Sequence, residues 1–327
     1  MNSVSSVILP PCRTKFFCSL WLFSSVLAIF LSGDCFQDVY AATVGAQPVS
    51  LLNTPLRNPK WSDPTQTNLE KDIEISRAVL RIAPEHEDSY IWLGRRLTYM
   101  NRFHDAVEVY TTGLQKFPDS YKLLRFRGRS LARMRQFKEA IADYTKGLAL
   151  MDGVQDSYEP DGVLNARNQF LGSYRGNLLY YRAQTSWAIG DYLSTFAGMQ
   201  LSGQQELVQN ADHQIAVKYW SYLALRKLGR DEDARLLVAN VPDHLDLVEN
   251  GDYHRGVRVM NGTLTQADFT SMTDTLGLFA VAMEASFRGD RARAQSLLES
   301  IVVAAPQGFW PAETELIRMR EDTLLRK

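Results

Sequence analysis

Acid–base, nucleophilic or metal chemistry needs titratable side chains gathered in one place, and this chain gathers few. Its five histidines are scattered, at His86, His104, His213, His244 and His254. The densest polar group is DHLDLVENGDYH at 243–254, where His244, Asp246, Glu249, Asp252 and His254 are donor types that metals take. Their spacing fits no compact ligand motif and reads as polar residues around a turn, so no metal site is assigned. EHED at 85–88 opens a helix, where acidic side chains favour the dipole. Neither a glycine-rich phosphate loop nor a Gly-x-Ser-x-Gly elbow occurs. No catalytic residue and no cofactor is expected; a hydrolase is a remote alternative.

The chemistry that the sequence does offer is cationic and aromatic. WLGRRLTYMNRFHDAVEVY at 92–110 holds Arg95 and Arg96, and the next helical stretch holds Lys122, Arg125, Arg129 and Arg133 at three- and four-residue spacings that share a helix face. For any one arginine the ordinary role is a solvated surface charge. As a set they stand out, because the nearby carboxylates Glu108, Glu139 and Asp143 fall on the other helices. The formal net charge over 327 residues is only -1, with 22% charged residues, which argues against a general nucleic-acid binder. The cations form a local patch on an ordinary globular background that is 45% hydrophobic.

The elements that carry this patch are repeated. FRGRSLARMRQFKEAIADY at 126–144 matches 92–110 and pairs Gly94 with Gly128, Leu97 with Leu131, Phe103 with Phe137, Ala106 with Ala140 and Tyr110 with Tyr144, each 34 residues on. Apolar residues three and four apart predict amphipathic helices, and small residues at Gly94, Ala106, Gly128 and Ala140 predict the points where they cross. Interhelical turns are expected at Asn101-Arg102 and Arg135-Gln136, and weaker copies at Gly190-Asp191, Gly229-Arg230 and Gly289-Asp290. YHRGVRVMNGTLTQADFTSM at 253–272 is expected to hold one degenerate helix pair. LEKDIEISRAVLRIAP, ending in Pro84, reads as a second helix whose partner lies before it.

Through Tyr90, Leu93, Gly94, Leu97, Phe103, Ala106, Tyr110 and Pro118 this pattern resembles the tetratricopeptide repeat, or TPR. The resemblance implies an all-α, right-handed superhelical solenoid: clear repeats at 87–120 and 121–154, degenerate ones over 177–310, within an array spanning 67–310. It also implies that the first helix of each pair lines a concave groove. That groove is expected to present Arg95, Tyr99, Lys122, Arg125, Arg129 and Arg133 early, then Tyr180, Trp187, Tyr219 and Arg226. Its expected partner is another protein or peptide with acidic or carboxylate features, held by bidentate guanidinium contacts. The alternative is a carbohydrate polymer of the cell envelope, bound through the aromatic section.

Three further segments are read from composition. Arg13 and Lys15 precede the apolar run 16–33 and a polar stretch reaching Val39-Tyr40-Ala41, the layout of a secretory signal ending at Ala41, or else of an uncleaved anchor. An exported protein is therefore expected, periplasmic or secreted, with membrane contact only through an uncleaved anchor. Cys12, Cys18 and Cys35 all precede the cut, leaving the rest without a disulfide. Residues 42–66, with Pro48, Pro55, Pro59 and Pro64, are expected to be an extended linker. Residues 152–176 exceed the repeat length; their Asp-Gly and Glu-Pro steps predict an ordered inserted loop that offers Glu159, Asp161, Asn165, Arg167 and Asn168. The closing stretch, 311–327, is expected to be a helix capping the last repeat.

Overall fold

The structure is a computed structural model that describes residues 48–325, except Pro59, Met272, Thr273 and Pro306. The expected signal or anchor, residues 1–41, lies outside the described residues. Among those described there are thirteen α-helices and no strand beyond two isolated β-bridges. In chain order they are α1 (Asp63–Ile82), α2 (Glu87–Tyr99), α3 (Phe103–Lys116), α4 (Tyr121–Arg133), α5 (Phe137–Leu150), α6 (Tyr174–Ala188), α7 (Tyr192–Gly203), α8 (Ala211–Lys227), α9 (Asp231–Val238), α10 (Gly251–Met260), α11 (Thr275–Phe287), α12 (Arg291–Ala304) and α13 (Trp310–Leu325). None is long and apolar enough to cross a membrane.

Each helix packs chiefly on its neighbours in sequence, and α2, α4, α6 and α8 also touch in succession. This is an all-α stack of TPR-like helix-turn-helix repeats. The 34-residue period has a packing cause: a methyl group on Gly94 would overlap the ring of Tyr110, and one on Gly128 would come within 2.7 Å of Tyr144. Each glycine lets the second helix of its pair bring a fully buried tyrosine against the first. The turns that connect the pairs place Asn101, Arg135, Gly190, Gly229 and Gly289 in the left-handed region, at the five positions that anchor the repeats in the sequence. Arg135 is the exception that needs a reason, because an arginine there costs about 1–2 kcal/mol of backbone strain.

Four segments depart from the sequence reading. No helix precedes α1 among the described residues, so its expected partner is absent there. The described part of the 253–272 stretch forms most of α10 and a short 3-10 turn at Gln266–Asp268 but no second helix of its own, and α10 packs on α8 and α11. Within the stretch expected to be an extended linker, residues 48–57 fold back: Val49 bridges Pro55, Leu56 is buried, and the Asn101 side chain donates to the Arg57 carbonyl at 2.9 Å.

The largest departure is α13, which packs on the last repeat and also reaches far beyond it. Residues 310–316 are buried on nearly every side, because α13 packs on α6 as well as on α12. Trp310 stacks on Trp220 with ring centroids 6.2 Å apart and lies 5.6 Å from Phe137. Arg318 donates to the carbonyls of Trp187 and Ala188, both at 2.7 Å, and so satisfies the free C-terminal end of α6. Lys227 reaches Glu315 at 2.6 Å. Glu313, with no exposed surface, accepts from the Arg135 guanidinium and from the Leu51 backbone N–H at 2.9 Å. The strained turn residue Arg135 therefore holds the C-terminal helix, and through it the N-terminal segment, against the first repeats.

Candidate binding site

The inner helices, the inserted loop and the start of α13 enclose a chamber of about 550 Å³. Its cationic wall comes from α2 and α4, whose amphipathic spacing turns Arg95, Arg125, Arg129 and Arg133 toward it. These guanidinium groups are held mainly by aromatic rings. Arg95 lies between Trp92 and Phe126, 4.8 and 4.6 Å from their centroids; Arg125 lies between Phe126 and Tyr181, 4.6 Å from each; Arg129 lies 5.2 Å from Tyr181. Rings and guanidinium planes thus alternate across three successive inner helices, an arrangement that a planar cation permits and an ammonium does not.

Among the described residues, no carboxylate lies within 4 Å of the guanidinium groups of Arg95, Arg129 or Arg133, and none of the three donates a hydrogen bond. Arg95 is 7% exposed, whereas Arg129 keeps an open surface on the chamber. Arg129 is raised above its usual value, chiefly by the Tyr181 phenol, whose ionised form the guanidinium favours. Burial, with Arg129 and Arg135 nearby, pushes Arg133 down to about 10. Burial works to raise Tyr181, but Arg129 and Arg125 outweigh it and leave this phenol below its usual value.

Other expected residues are placed differently. Arg125 is compensated after all, by Glu159 of the inserted loop, 2.6 Å away in a buried ion pair whose angles do not make a hydrogen bond. Lys122 is neutralised by Glu87 at 2.8 Å, and Arg226 by Glu284 and Asp231, outside the chamber. Trp187 and Tyr219 are fully buried and take no part in the inner surface; Trp187 packs on Trp220, and Tyr219 donates to the Leu276 carbonyl at 2.8 Å. Tyr180 and Tyr99 do line the chamber, and Tyr180 hydrogen-bonds Tyr253 at 2.8 Å. Gln184, six residues before the Gly190 turn, holds the register of Arg95 and Arg129, and Tyr181 and Trp220 hold that of Trp92 and Phe126; with Tyr253 they line the cavity without having been marked.

The inserted loop is a wall of the chamber. Glu159 N donates to the Gly172 carbonyl and Tyr174 N to the Ser157 carbonyl, closing its base. Gly162 lies against Tyr99 and Arg95, with no room for a side chain. Arg96 donates to the Gly162 carbonyl at 2.5 Å and lies 3.4 Å from Asp72 of α1, so it joins elements and does not face a ligand. Glu159 and Asp161 line the cavity; Asn165 donates to Asp161 at 2.8 Å, and Asn168 supplies a left-handed turn. Arg167 pairs with Asp246 across the mouth, tying the insertion to the 243–250 loop.

That pairing also dismantles the polar group at 243–254. Asp212, outside the group, accepts the backbone N–H groups of Val248, Glu249 and Asn250, and His254 contacts the Pro242 carbonyl at 2.7 Å. Among the described residues no cluster of three or more His, Cys, Asp or Glu is placed to hold a metal.

No protein-family model and no curated protein matches this sequence. Three solved structures share helical architecture with it. One is YrrB, described as a TPR protein with an unusual peptide-binding site, at 14% identity and a TM-score of 0.42, covering 74% of this chain and 98% of that one. The second is the Cut9–Hcn1 hetero-tetramer of APC/C, at 15% and 0.35, covering 78% of this chain and 46% of that one. The third is Naa15/Naa10 bound to HypK-THB, at 13% and 0.35, covering 79% and 37%. At these scores the likenesses carry no argument about ligands.

Proposed function

We propose that this chain is an exported, non-catalytic binding protein whose chamber holds a peptide segment of a partner through a carboxylate group. One observation carries the reading: Arg95, Arg129 and Arg133 open on a chamber of about 550 Å³ with, among the described residues, no carboxylate within ion-pair distance. Guanidinium groups oriented by rings are preorganised for bidentate contact with such an anion. The cavity volume suits a small ligand or a few residues of chain, not a long extended segment, and the start of α13 forms part of its wall. Export is supported by Arg13, Lys15 and the apolar run 16–33. The envelope-polymer reading loses two of its three aromatic platforms with the burial of Trp187 and Tyr219.

The test is fluorescence polarisation with a panel of short peptides that keep a free C-terminal carboxylate and carry the dye on a side chain, comparing the wild type with Arg129→Gln/Arg133→Gln. The expected outcome is a loss of affinity of about tenfold or more in the double variant at unchanged helical circular dichroism. Equal affinity of both proteins across the panel would sink the proposal.

A further inference from the structure

The chamber is not cationic throughout. Its mouth carries Asp161 from the inserted loop and Glu249 from the loop after α9, and among the described residues neither has a cation within 4 Å. One oxygen of Asp161 accepts from Asn165, while the Glu249 carboxylate accepts no hydrogen bond. Partial burial raises both carboxyls above their usual values, outweighing the pull of Asn165 and Arg95 on Asp161, and the field of Asp161 raises Glu249 further. Asp212 beside them is spent on three backbone N–H groups. The rim thus holds two carboxylates that repel each other, and the wall of α2 and α4 holds three unpaired guanidinium groups. The Arg167–Asp246 pair fixes the two rim loops across the opening.

Such a cavity is mismatched to a ligand of one sign. A polyanionic segment would satisfy the arginines but bring negative charge past Asp161 and Glu249, and like-charge juxtaposition is strongly discriminating. A ligand with opposite charges at its two ends meets both walls. Resting on the peptide-binding reading above, we propose that the chamber takes a short peptide free at both ends, its carboxylate against Arg95, Arg129 and Arg133 and its ammonium between Asp161 and Glu249. Tyr99, Tyr180, Tyr181 and Tyr253 line the space between with rings and hydroxyls, which suits a peptide backbone and side chains of varied kind.

The experiment uses a randomised synthetic tripeptide library in three forms, with free ends, N-acetylated and C-amidated. Retention on the purified chain is read by ultrafiltration and mass spectrometry, and the retained members are then titrated calorimetrically. Free tripeptides should be retained, and capping either end should weaken them by about tenfold or more. Glu249→Gln, at an exposed side chain that accepts no hydrogen bond, should narrow the gap between free and acetylated forms while leaving the penalty for C-amidation in place. Acetylated tripeptides binding as well as free ones would overturn the ammonium assignment and leave the carboxylate reading standing. Failure to retain any form would overturn both.

Discussion

Arg135 and Glu313 are 178 residues apart in sequence and form a buried pair, the arginine 5% and the carboxylate 0% exposed at the side chain. Arg135 sits in a left-handed turn where the equivalent turns at 190, 229 and 289 have glycine. The strain is tolerated because its guanidinium meets Glu313 from that geometry, and Glu313 in turn accepts the Leu51 backbone N–H. One carboxylate thus joins the first repeats, the C-terminal helix and the N-terminal segment.

Glu313→Gln should lower stability by about 3–5 kcal/mol, the usual result of removing one partner of a buried pair. Thermal unfolding would show it, and limited proteolysis should then cut within α13 first. An unchanged melting temperature would mean that α13 is not held by this contact.

Arg133 is expected to carry a cost in stability. Its pKa falls well below the usual guanidinium range, to about 10, so the fold disfavours its charged form, largely through burial and then through Arg129 and Arg135. Arg133→Met should therefore stabilise the chain by about 1–3 kcal/mol in denaturant titrations while weakening anionic peptides. A loss of stability would show that Arg133 is compensated by a contact within the fold.

His213 sets an acid limb. It is buried against Ser202, 2.9 Å from its hydroxyl, and burial lowers its pKa from 6.5 to about 4. The unfolded chain binds a proton between those values and the folded chain does not, so this contribution is complete above pH 6.5 and is lost as pH falls toward 4. The loss amounts to about 3 kcal/mol at most. His213→Gln should flatten that part of the stability–pH curve, and an unaltered curve would remove His213 as its cause.

The Arg167–Asp246 pair is solvent-exposed and should matter for the mouth more than for the fold. Arg167→Ala should leave the melting temperature unchanged while raising hydrogen exchange in residues 157–173 and 243–250. Exchange that stays the same would show the insertion to be held by its base alone.

Local periodicity determined most of the architecture. The Gly94–Tyr110 and Gly128–Tyr144 pairs, the five turn positions and the all-α stack follow from contacts between neighbouring helices, which a 34-residue repeat writes directly into the sequence. The cationic face of α2 and α4 was legible for the same reason, because helical spacing alone sets which side chains share a side. What the sequence hid is whatever depends on distant segments. That α13 enters the concave face, that Glu159 neutralises Arg125, and that Trp187 and Tyr219 close into the core are decided by packing between segments with no common period. The acidic mouth has the same origin: Asp161 and Glu249 come from two irregular loops, and only the tertiary fold brings them to one opening, facing three arginines that local sequence had already aligned.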